Sequence, residues 1–265
     1  MSDNKPTTEK FEDPSFEVIE TDHQRQVRHK GVYLLPNLFT TGALFAGFYA
    51  IVAAMNAQFD NAAIGIVVAG VLDGLDGGVA RLTNTQSKFG AEYDSLSDCV
   101  AFGVAPGLVA YAWALTDLGK LGWVAAFIYV ACAALRLARF NVQAETSDKR
   151  FFIGLPSPSG AGLVATLVWL GASRGLDGND VSWLVAFITA ATGLLMVSSV
   201  RYQSFKEFHI GRVPVRALLG VIVAFAIVVL DPPLVLAAVA VIYIGSGVVL
   251  DVVRRFRDRK KKVTA

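Results

Sequence analysis

Long stretches without a charged side chain recur along the sequence. Five of them contain no Asp, Glu, Lys or Arg, namely 31–59, 99–116, 151–173, 181–200 and 232–250. A helix that crosses a bilayer needs roughly 20 mainly apolar residues. Three shorter charge-free stretches, at 61–72, 121–135 and 217–230, also reach that length if the helix includes a few charged residues at its ends. The pattern predicts about eight transmembrane helices, near 32–56, 60–82, 90–116, 121–144, 156–173, 182–201, 214–230 and 233–252.

The composition supports this interpretation. Of the 265 residues, 54% are hydrophobic and 17% are charged, whereas roughly a quarter are charged in an ordinary soluble domain. A disordered chain, a coiled coil and a secreted disulfide scaffold are excluded. Cys99 and Cys132 fall within predicted helices, where a cysteine behaves as a small apolar residue. The sequence therefore predicts an all-α, polytopic membrane protein.

The basic residues indicate how the helices are oriented. Several Lys and Arg follow the second, fourth, sixth and eighth predicted helices, whereas the intervening connections contain at most one each, Lys120 or Arg174. Short connections rich in Lys and Arg usually face the cytoplasm. We therefore expect both termini in the cytoplasm, with a polar, disordered tail over 1–29, a transmembrane domain over 30–253 and a basic tail over 254–265.

Four carboxylates interrupt the second and third predicted helices. Asp73 and Asp76 are three residues apart, and Asp94 and Asp98 are four apart, so each pair shares one helical face. A carboxylate inside a membrane helix costs about 2.5–3.5 kcal/mol on insertion scales and usually marks a functional site. Because only the short connection 82–89 joins the two helices, the two faces can meet near the cytoplasmic surface.

Four converging negative charges require counter-charge. Hard divalent cations such as Mg²⁺ and Mn²⁺ prefer oxygen ligands. Glycines at 74, 77, 78 and 90 leave an open groove beside the acids, and the planar guanidinium of Arg81 suits a phosphate. Metals, an arginine and a glycine-lined groove together suggest a diphosphate substrate and phosphoryl-transfer chemistry.

Two other interpretations could account for the four acids. Buried ion pairs with Arg81 and Lys88 would leave four acids balanced by only two cations. A divalent-cation transporter remains open, since carboxylates also line ion pathways. Transporters typically show internal repeats, and none is evident in this sequence.

The residues that carry this chemistry also match a known family. The pattern Asp73-x2-Asp76-Gly77-x2-Ala80-Arg81-x8-Gly90-x3-Asp94-x3-Asp98 resembles the signature of the CDP-alcohol phosphotransferases at all eight positions. The resemblance implies that family's fold, a homodimer, and displacement of CMP from a CDP-activated substrate. It also implies two Mg²⁺ or Mn²⁺ ions held by Asp73, Asp76, Asp94 and Asp98, with Asp98 as proton acceptor. CDP-diacylglycerol would be contacted by Asn37, Thr40, Gly77, Arg81, Ser87 and Gly90.

Four further segments are similar to the corresponding segments of bacterial family members that use serine as the acceptor, namely 33–40, 136–141, 154–158 and 196–202. This similarity implies transfer of a phosphatidyl group from CDP-diacylglycerol to the hydroxyl of L-serine, giving phosphatidylserine and CMP, at the cytoplasmic side of a bacterial inner membrane. Arginine pairs well with a carboxylate such as that of serine. The candidate serine ligands are Arg136, Arg139 and Arg201, with Asn141 as a possible aid.

Other functions share the same acidic residues. Glycerol 3-phosphate or an inositol phosphate could replace serine as the acceptor, although a phosphate-bearing acceptor should require additional basic residues. A non-catalytic scaffold that binds CDP-lipid also remains open. Membrane lipid is an expected partner, and nucleic acid is not.

Overall fold

The computed structural model describes residues 34–83, 87–143, 151–203 and 215–263. These residues form mainly helices, as the sequence predicts. The main helices are α1 (Leu34–Met55), α2 (Phe59–Thr83), α3 (Lys88–Asp98), α4 (Ala105–Ala110), α5 (Lys120–Gln143), α6 (Ser157–Ser173), α7 (Ser182–Val197), α8 (Val215–Leu230) and α9 (Pro232–Val263). The tail expected over 1–29 lies outside the described residues, and helix α9 continues into the basic segment that begins at 254.

The protein is a multi-pass membrane protein. Among the described residues, six helical stretches are long and apolar enough to cross a bilayer, namely Leu35–Met55, Phe59–Ala80, Lys88–Leu118, Lys120–Val142, Gly178–Val197 and Pro232–Val253. Helices α6 and α8 are apolar as well, but they contain only 17 and 16 residues. The all-α membrane fold is thus confirmed, while the count of eight spans remains a prediction.

The helices pack through small residues and present large ones outward. The buried face of α1 contains Ala43, Ala46, Ala50, Ala53 and Ala54, whereas Phe45 and Phe48 on the same helix are exposed. A Cβ atom placed on Gly47 would lie 2.7 Å from the Cα of Ala101, so these backbones are in close contact. Small residues between helices and large apolar residues toward lipid are typical of membrane bundles.

The third membrane-crossing stretch is not a uniform α-helix. Between α3 and α5 the chain forms two π-helical segments, Cys99–Val104 and Tyr111–Leu115, that flank α4. Pro106 has no N–H with which to reach the carbonyl of Phe102 four residues earlier. The buried hydroxyl of Tyr129 donates to that carbonyl at 2.9 Å and so replaces the missing donor. The sequence predicted this stretch as one continuous helix because its hydropathy does not record such a change of helix type.

A short two-stranded ribbon, which the sequence pattern did not predict, joins the segment before α6 to the segment after α7. Strands β1 (Phe151–Ile153) and β2 (Arg201–Gln203) pair antiparallel, with Phe152 opposite Tyr202. The chain enters α6 through Gly154, whose φ of +85° favours glycine. A side chain at that position would also collide with the carbonyl of Met196. The ribbon therefore connects the segment before α6 to the segment after α7.

The helix contacts bring the acidic segments together. Helix α1 packs along α2 and also contacts α3, α2 packs on α6, and α5 packs on α7. Helices α6 and α9 form a further contact, and α8 packs on α9. As a result, the C-terminal part of α2 and the whole of α3 lie beside the N-terminal part of α1.

Candidate active site

Three of the four predicted acidic residues converge on one point. Asp73 and Asp76 of α2 and Asp94 of α3 each offer a carboxylate oxygen, and these three oxygens lie within 4.8 Å of one another. Asp76 is only 5% exposed, and the other two are half-buried. The three-residue spacing places Asp73 and Asp76 on one face of α2, where both approach Asp94 of α3. The predicted convergence of all four acids is not reproduced, because Asp98 is not part of this group among the described residues.

Asp98 lies close to this group without belonging to it among the described residues. It is the last residue of α3, immediately before the first π-helical segment. The charges of Asp73, Asp94 and Arg136 all act on its half-buried carboxylate. Asp98 is therefore near enough to the acidic cluster and to Arg136 for the charges of both to act on its carboxylate.

A hydrogen-bond network connects the acidic cluster to α1. The Thr40 hydroxyl lies 2.7 Å from Oδ2 of Asp76 and 3.1 Å from the carbonyl oxygen of Pro36. The Ser97 hydroxyl donates to the backbone carbonyl of Thr40 at 3.0 Å. Thr40, which the sequence predicted as a substrate contact, is only 4% exposed, and its hydroxyl contacts Asp76. The predicted substrate contact stays a prediction. Ser97 was missed, although its place three residues after Asp94 put it on the acidic face.

A cavity of about 260 Å³ opens beside the acids. It brings together most of the residues predicted to bind the CDP-lipid. Its lining consists of Pro36, Asn37, Thr40, Asp76, Gly77, Ala80, Ser87, Gly90, Ala91 and Asp94. The volume lies just below the range for small-molecule sites, about 300 Å³ and above, so the cavity suits part of a polar head group rather than a whole lipid.

Glycines and a helix terminus shape this cavity. A Cβ atom on Gly77 would find no described heavy atom within 4 Å, so that wall is open. At Gly90, by contrast, a Cβ would lie 3.0 Å from the Ser87 hydroxyl and 3.4 Å from Oδ1 of Asn37. Ser87 is the N-cap of α3, and its hydroxyl accepts from the Gly90 N–H. The positive end of the α3 dipole therefore faces the cavity and favours an anionic group there.

The candidate arginines lie in different surroundings. Arg136 of α5 donates from Nη1 to the Ser157 hydroxyl at 2.5 Å, and its buried Nε has no hydrogen-bond partner among the described residues. Arg139 is exposed one turn further along α5. Arg201 is in β2, opposite Ile153. Among the described side chains of these candidates, that of Arg136 acts electrostatically on Asp98.

Two other predicted site residues, Asn141 and Arg81, are in α5 and α2. The Asn141 amide bonds to the Ser95 hydroxyl at 2.9 Å, which links α5 to α3 beside the acids. Arg81 lies in α2, but its side chain is outside the described part of the structure. Ser157, the partner of Arg136, was not singled out in the sequence, although it lies in segment 154–158.

The donor set fits a hard divalent cation. The three converging side chains are all carboxylates, and the oxygens that they offer are the ligands that Mg²⁺ and Mn²⁺ prefer. Among the described residues, only Arg136 is identified as a positive charge that acts on Asp98. A cluster with more negative than positive charge favours bound cations.

Comparison with known proteins places this site in a family. The family model described as CDP-alcohol phosphatidyltransferase matches residues 33–195, which include every acidic residue of the site. A Helicobacter pylori protein named CDP-diacylglycerol–serine O-phosphatidyltransferase is 47% identical over 177 residues, covering 66% of this chain and 74% of the relative.

Two further relatives have the same name. The one from Mycobacterium tuberculosis is 36% identical over 225 residues, covering 82% of this chain and 77% of its own length. The one from Bacillus subtilis is 35% identical over 173 residues, covering 65% of this chain and 92% of its own length. The motif, the site and these matches agree: the chain belongs to the CDP-alcohol phosphatidyltransferase family.

Proposed function

We propose that this protein transfers the phosphatidyl group of CDP-diacylglycerol to the hydroxyl of L-serine, giving phosphatidylserine and CMP. The observation that carries the proposal is the convergence of Asp73, Asp76 and Asp94 beside a cavity of head-group size. Asp98 and Arg136 adjoin the cluster, where a proton acceptor and an acceptor-binding cation are needed. The names of the three relatives support serine as the acceptor.

The cavity is the proposed site for the CDP head group. Asn37 and Thr40 line it from α1, Gly77 from α2, and Ser87 and Gly90 from the start of α3. The N-terminus of α3 favours the negative diphosphate. The open space at Gly77 lets phosphate oxygens approach the backbone. The acyl chains would remain among the apolar side chains that the bundle presents to lipid.

The site would hold two Mg²⁺ or Mn²⁺ ions through the carboxylates of Asp73, Asp76, Asp94 and Asp98. When bound, ions of this kind neutralise the negative charge of the diphosphate and polarise its oxygens. The protein's own contribution is to fix these carboxylates on two helices, α2 and α3, that both pack against α1. Preorganised charge of this kind is usually a large part of catalysis.

The proposed reaction is a single displacement at phosphorus. The Asp98 carboxylate accepts the proton of the serine hydroxyl, and the serine oxygen forms a bond to the phosphorus that bears diacylglycerol. The bond from that phosphorus to the bridging oxygen breaks, and its electron pair leaves with CMP. General base assistance of this kind typically contributes about 10²–10⁴-fold to the rate.

Arg136 is the proposed partner of the serine carboxylate. One of its donors is used by Ser157, while Nε is buried and has no partner among the described residues. An unpaired buried donor is costly, and a bound carboxylate would satisfy it with a charge-assisted hydrogen bond. The electrostatic action of Arg136 on Asp98 supports an acceptor site beside the proposed base.

The membrane topology belongs to the proposal as well. The basic residues support a site that faces the cytoplasm of a bacterial inner membrane, with both termini on that side. Serine, CMP and divalent cations are water-soluble, so a site near one membrane surface gives them access while the lipid stays in the bilayer. The homodimer that the family resemblance implies remains a prediction.

Purified protein supplied with CDP-diacylglycerol and Mn²⁺ tests this function. CMP release is measured with serine, glycerol 3-phosphate, an inositol phosphate or no acceptor. We expect release with serine only. Release with a phosphorylated alcohol instead would assign another acceptor, and binding of CDP-lipid without any CMP release would indicate a scaffold. Mn²⁺ flux into proteoliposomes without CDP-lipid would indicate a transporter.

A further inference from the structure

Thr40 lines the cavity, and its hydroxyl contacts Asp76, one of the candidate metal ligands. Its hydroxyl lies 2.7 Å from Oδ2 of Asp76, and both side chains are buried. We propose that Thr40 is a positioning residue that orients the Asp76 carboxylate for divalent-cation binding. This inference rests on the metal centre of the proposed function, and it assigns Thr40 a role different from the substrate contact predicted from the sequence.

The hydroxyl proton of Thr40 has two acceptors within reach. One is Oδ2 of Asp76 at 2.7 Å, and the other is the carbonyl oxygen of Pro36 at 3.1 Å. A hydroxyl has only one proton to donate. The carboxylate is the closer acceptor, and hydrogen bonds to ionised groups are roughly twice as strong as neutral ones. The proton therefore goes to Asp76, and a carboxylate held at one oxygen presents the other in a fixed direction.

The Thr40 backbone is also held in place. The Ser97 hydroxyl donates to the Thr40 carbonyl at 3.0 Å, so α3 fixes the residue of α1 that contacts Asp76 of α2. Three helices thus meet at Thr40. Partners that orient metal ligands typically change metal affinity by about 10–100-fold when they are removed. A role in orienting Asp76 predicts an effect on metal binding before any substrate is present.

Two substitutions separate the hydroxyl from the shape of the side chain. Thr40→Val keeps the branched shape and removes the donor, whereas Thr40→Ser keeps the donor. Thr41→Val is the matched control, because the Thr41 hydroxyl contacts the Asn37 carbonyl and Tyr93 rather than an acid. If the valine variant folds poorly, Thr40→Ala repeats the test without a branched side chain.

Mn²⁺ titration of the substrate-free protein, followed by electron paramagnetic resonance, gives the readout. We expect Thr40→Val to weaken Mn²⁺ binding by about 10-fold, and Thr40→Ser and Thr41→Val to bind as the wild type does. At saturating Mn²⁺, the KM of Thr40→Val for CDP-diacylglycerol should stay within about twofold of the wild-type value, because cation binding is then complete.

Two results would overturn the inference. Unchanged Mn²⁺ affinity in Thr40→Val, with normal binding by the wild type, would remove the positioning role and leave the metal centre intact. A raised KM for CDP-diacylglycerol at saturating Mn²⁺, without loss of Mn²⁺ affinity, would make Thr40 a substrate ligand. Failure of the wild type itself to bind Mn²⁺ would instead reject the metal centre of the proposed function, and this inference with it.

Discussion

Nη1 of Arg136 donates to the Ser157 hydroxyl at 2.5 Å, across the contact between α5 and the start of α6. This contact holds the guanidinium where its charge acts on Asp98. This arrangement supports the proposed role of Arg136 as the partner of the acceptor. The buried Nε atom gives that arginine a donor to offer a ligand.

Arg136→Lys should impair the use of serine. Lysine keeps the positive charge but lacks the planar guanidinium, which can donate hydrogen bonds to Ser157 and to a carboxylate at the same time. Loss of a hydrogen bond to a charged group costs about 1.5–3 kcal/mol, so we expect the KM for serine to rise by about 10-fold or more. The KM for CDP-diacylglycerol should change little. Both constants come from CMP release at varied substrate concentrations.

Arg174→Lys is the control for that substitution. Arg174 pairs with Asp231 in an exposed contact, and neither residue belongs to the acidic cluster of the site. Exposed ion pairs contribute little to stability. The KM of the Arg174→Lys variant for serine should match the wild-type value. An unchanged KM for serine in Arg136→Lys would contradict the role of Arg136, whereas equal effects in both variants would indicate a general loss of structure.

Asp98→Asn should lower turnover by about 10²–10⁴-fold, because the amide cannot accept the serine proton. The measurement is kcat at saturating CDP-diacylglycerol, serine and Mn²⁺. Glu92→Gln, an exposed change on the same helix, is expected to leave kcat unaltered. Near-normal turnover by Asp98→Asn would exclude Asp98 as the base.

Gly77→Ala should weaken binding of the CDP-lipid without unfolding the protein. The added methyl group meets no described atom within 4 Å, so it projects into the cavity rather than into a neighbouring helix. One methylene in a binding pocket is worth about 1–3 kcal/mol. We expect the KM for CDP-diacylglycerol to rise by about fivefold or more, as measured by initial rates of CMP release.

Gly162→Ala provides the matched comparison. Gly162 is also a helical glycine whose added Cβ meets no described atom within 4 Å, but it is in α6 and does not line the cavity. This variant should keep the wild-type KM. Identical kinetics in Gly77→Ala and the wild type would mean that the head group does not approach this wall.

Tyr129→Phe should destabilise the fold without changing the acids. The lost hydroxyl leaves the Phe102 carbonyl, four residues before Pro106, without its donor. A buried polar group left unpaired costs about 1–3 kcal/mol. We expect the apparent Tm in detergent to fall by several degrees. Tyr49→Phe, which removes a hydroxyl from a side chain that is 42% exposed, should leave Tm nearly unchanged, and an equal Tm for the two variants would argue against the repair at Pro106.

The helices and the acidic cluster were predictable because local pattern determines both. Charge-free stretches locate α1, α2 and α5 to within a few residues, and the spacing of Asp73, Asp76 and Asp94 places them on facing helices. The role of Thr40 was not predictable, since its hydroxyl partner depends on how α1 packs against α2. The choice of Arg136 over Arg139 likewise required the position of Ser157 on a different helix.

The irregular parts of the fold were also beyond the sequence pattern. Strands β1 and β2 contain three residues each, too few for a period-2 pattern to be recognised. The π-helical segments around α4 keep the same hydropathy as an α-helix. Pro106 was not singled out in the sequence, and Tyr129, whose hydroxyl donates to the Phe102 carbonyl, is 23 positions further along the chain than Pro106.

The central claim is that the acidic site moves a phosphatidyl group from CDP-diacylglycerol to serine. Isotope-labelled serine, CDP-diacylglycerol and Mn²⁺ are incubated with purified wild type and with Asp73→Asn, and mass spectrometry quantifies labelled phosphatidylserine and CMP together. The wild type should form the two products in equal amounts, and Asp73→Asn should form neither at a comparable rate. No labelled lipid from the wild type, or equal product from Asp73→Asn, would contradict the account.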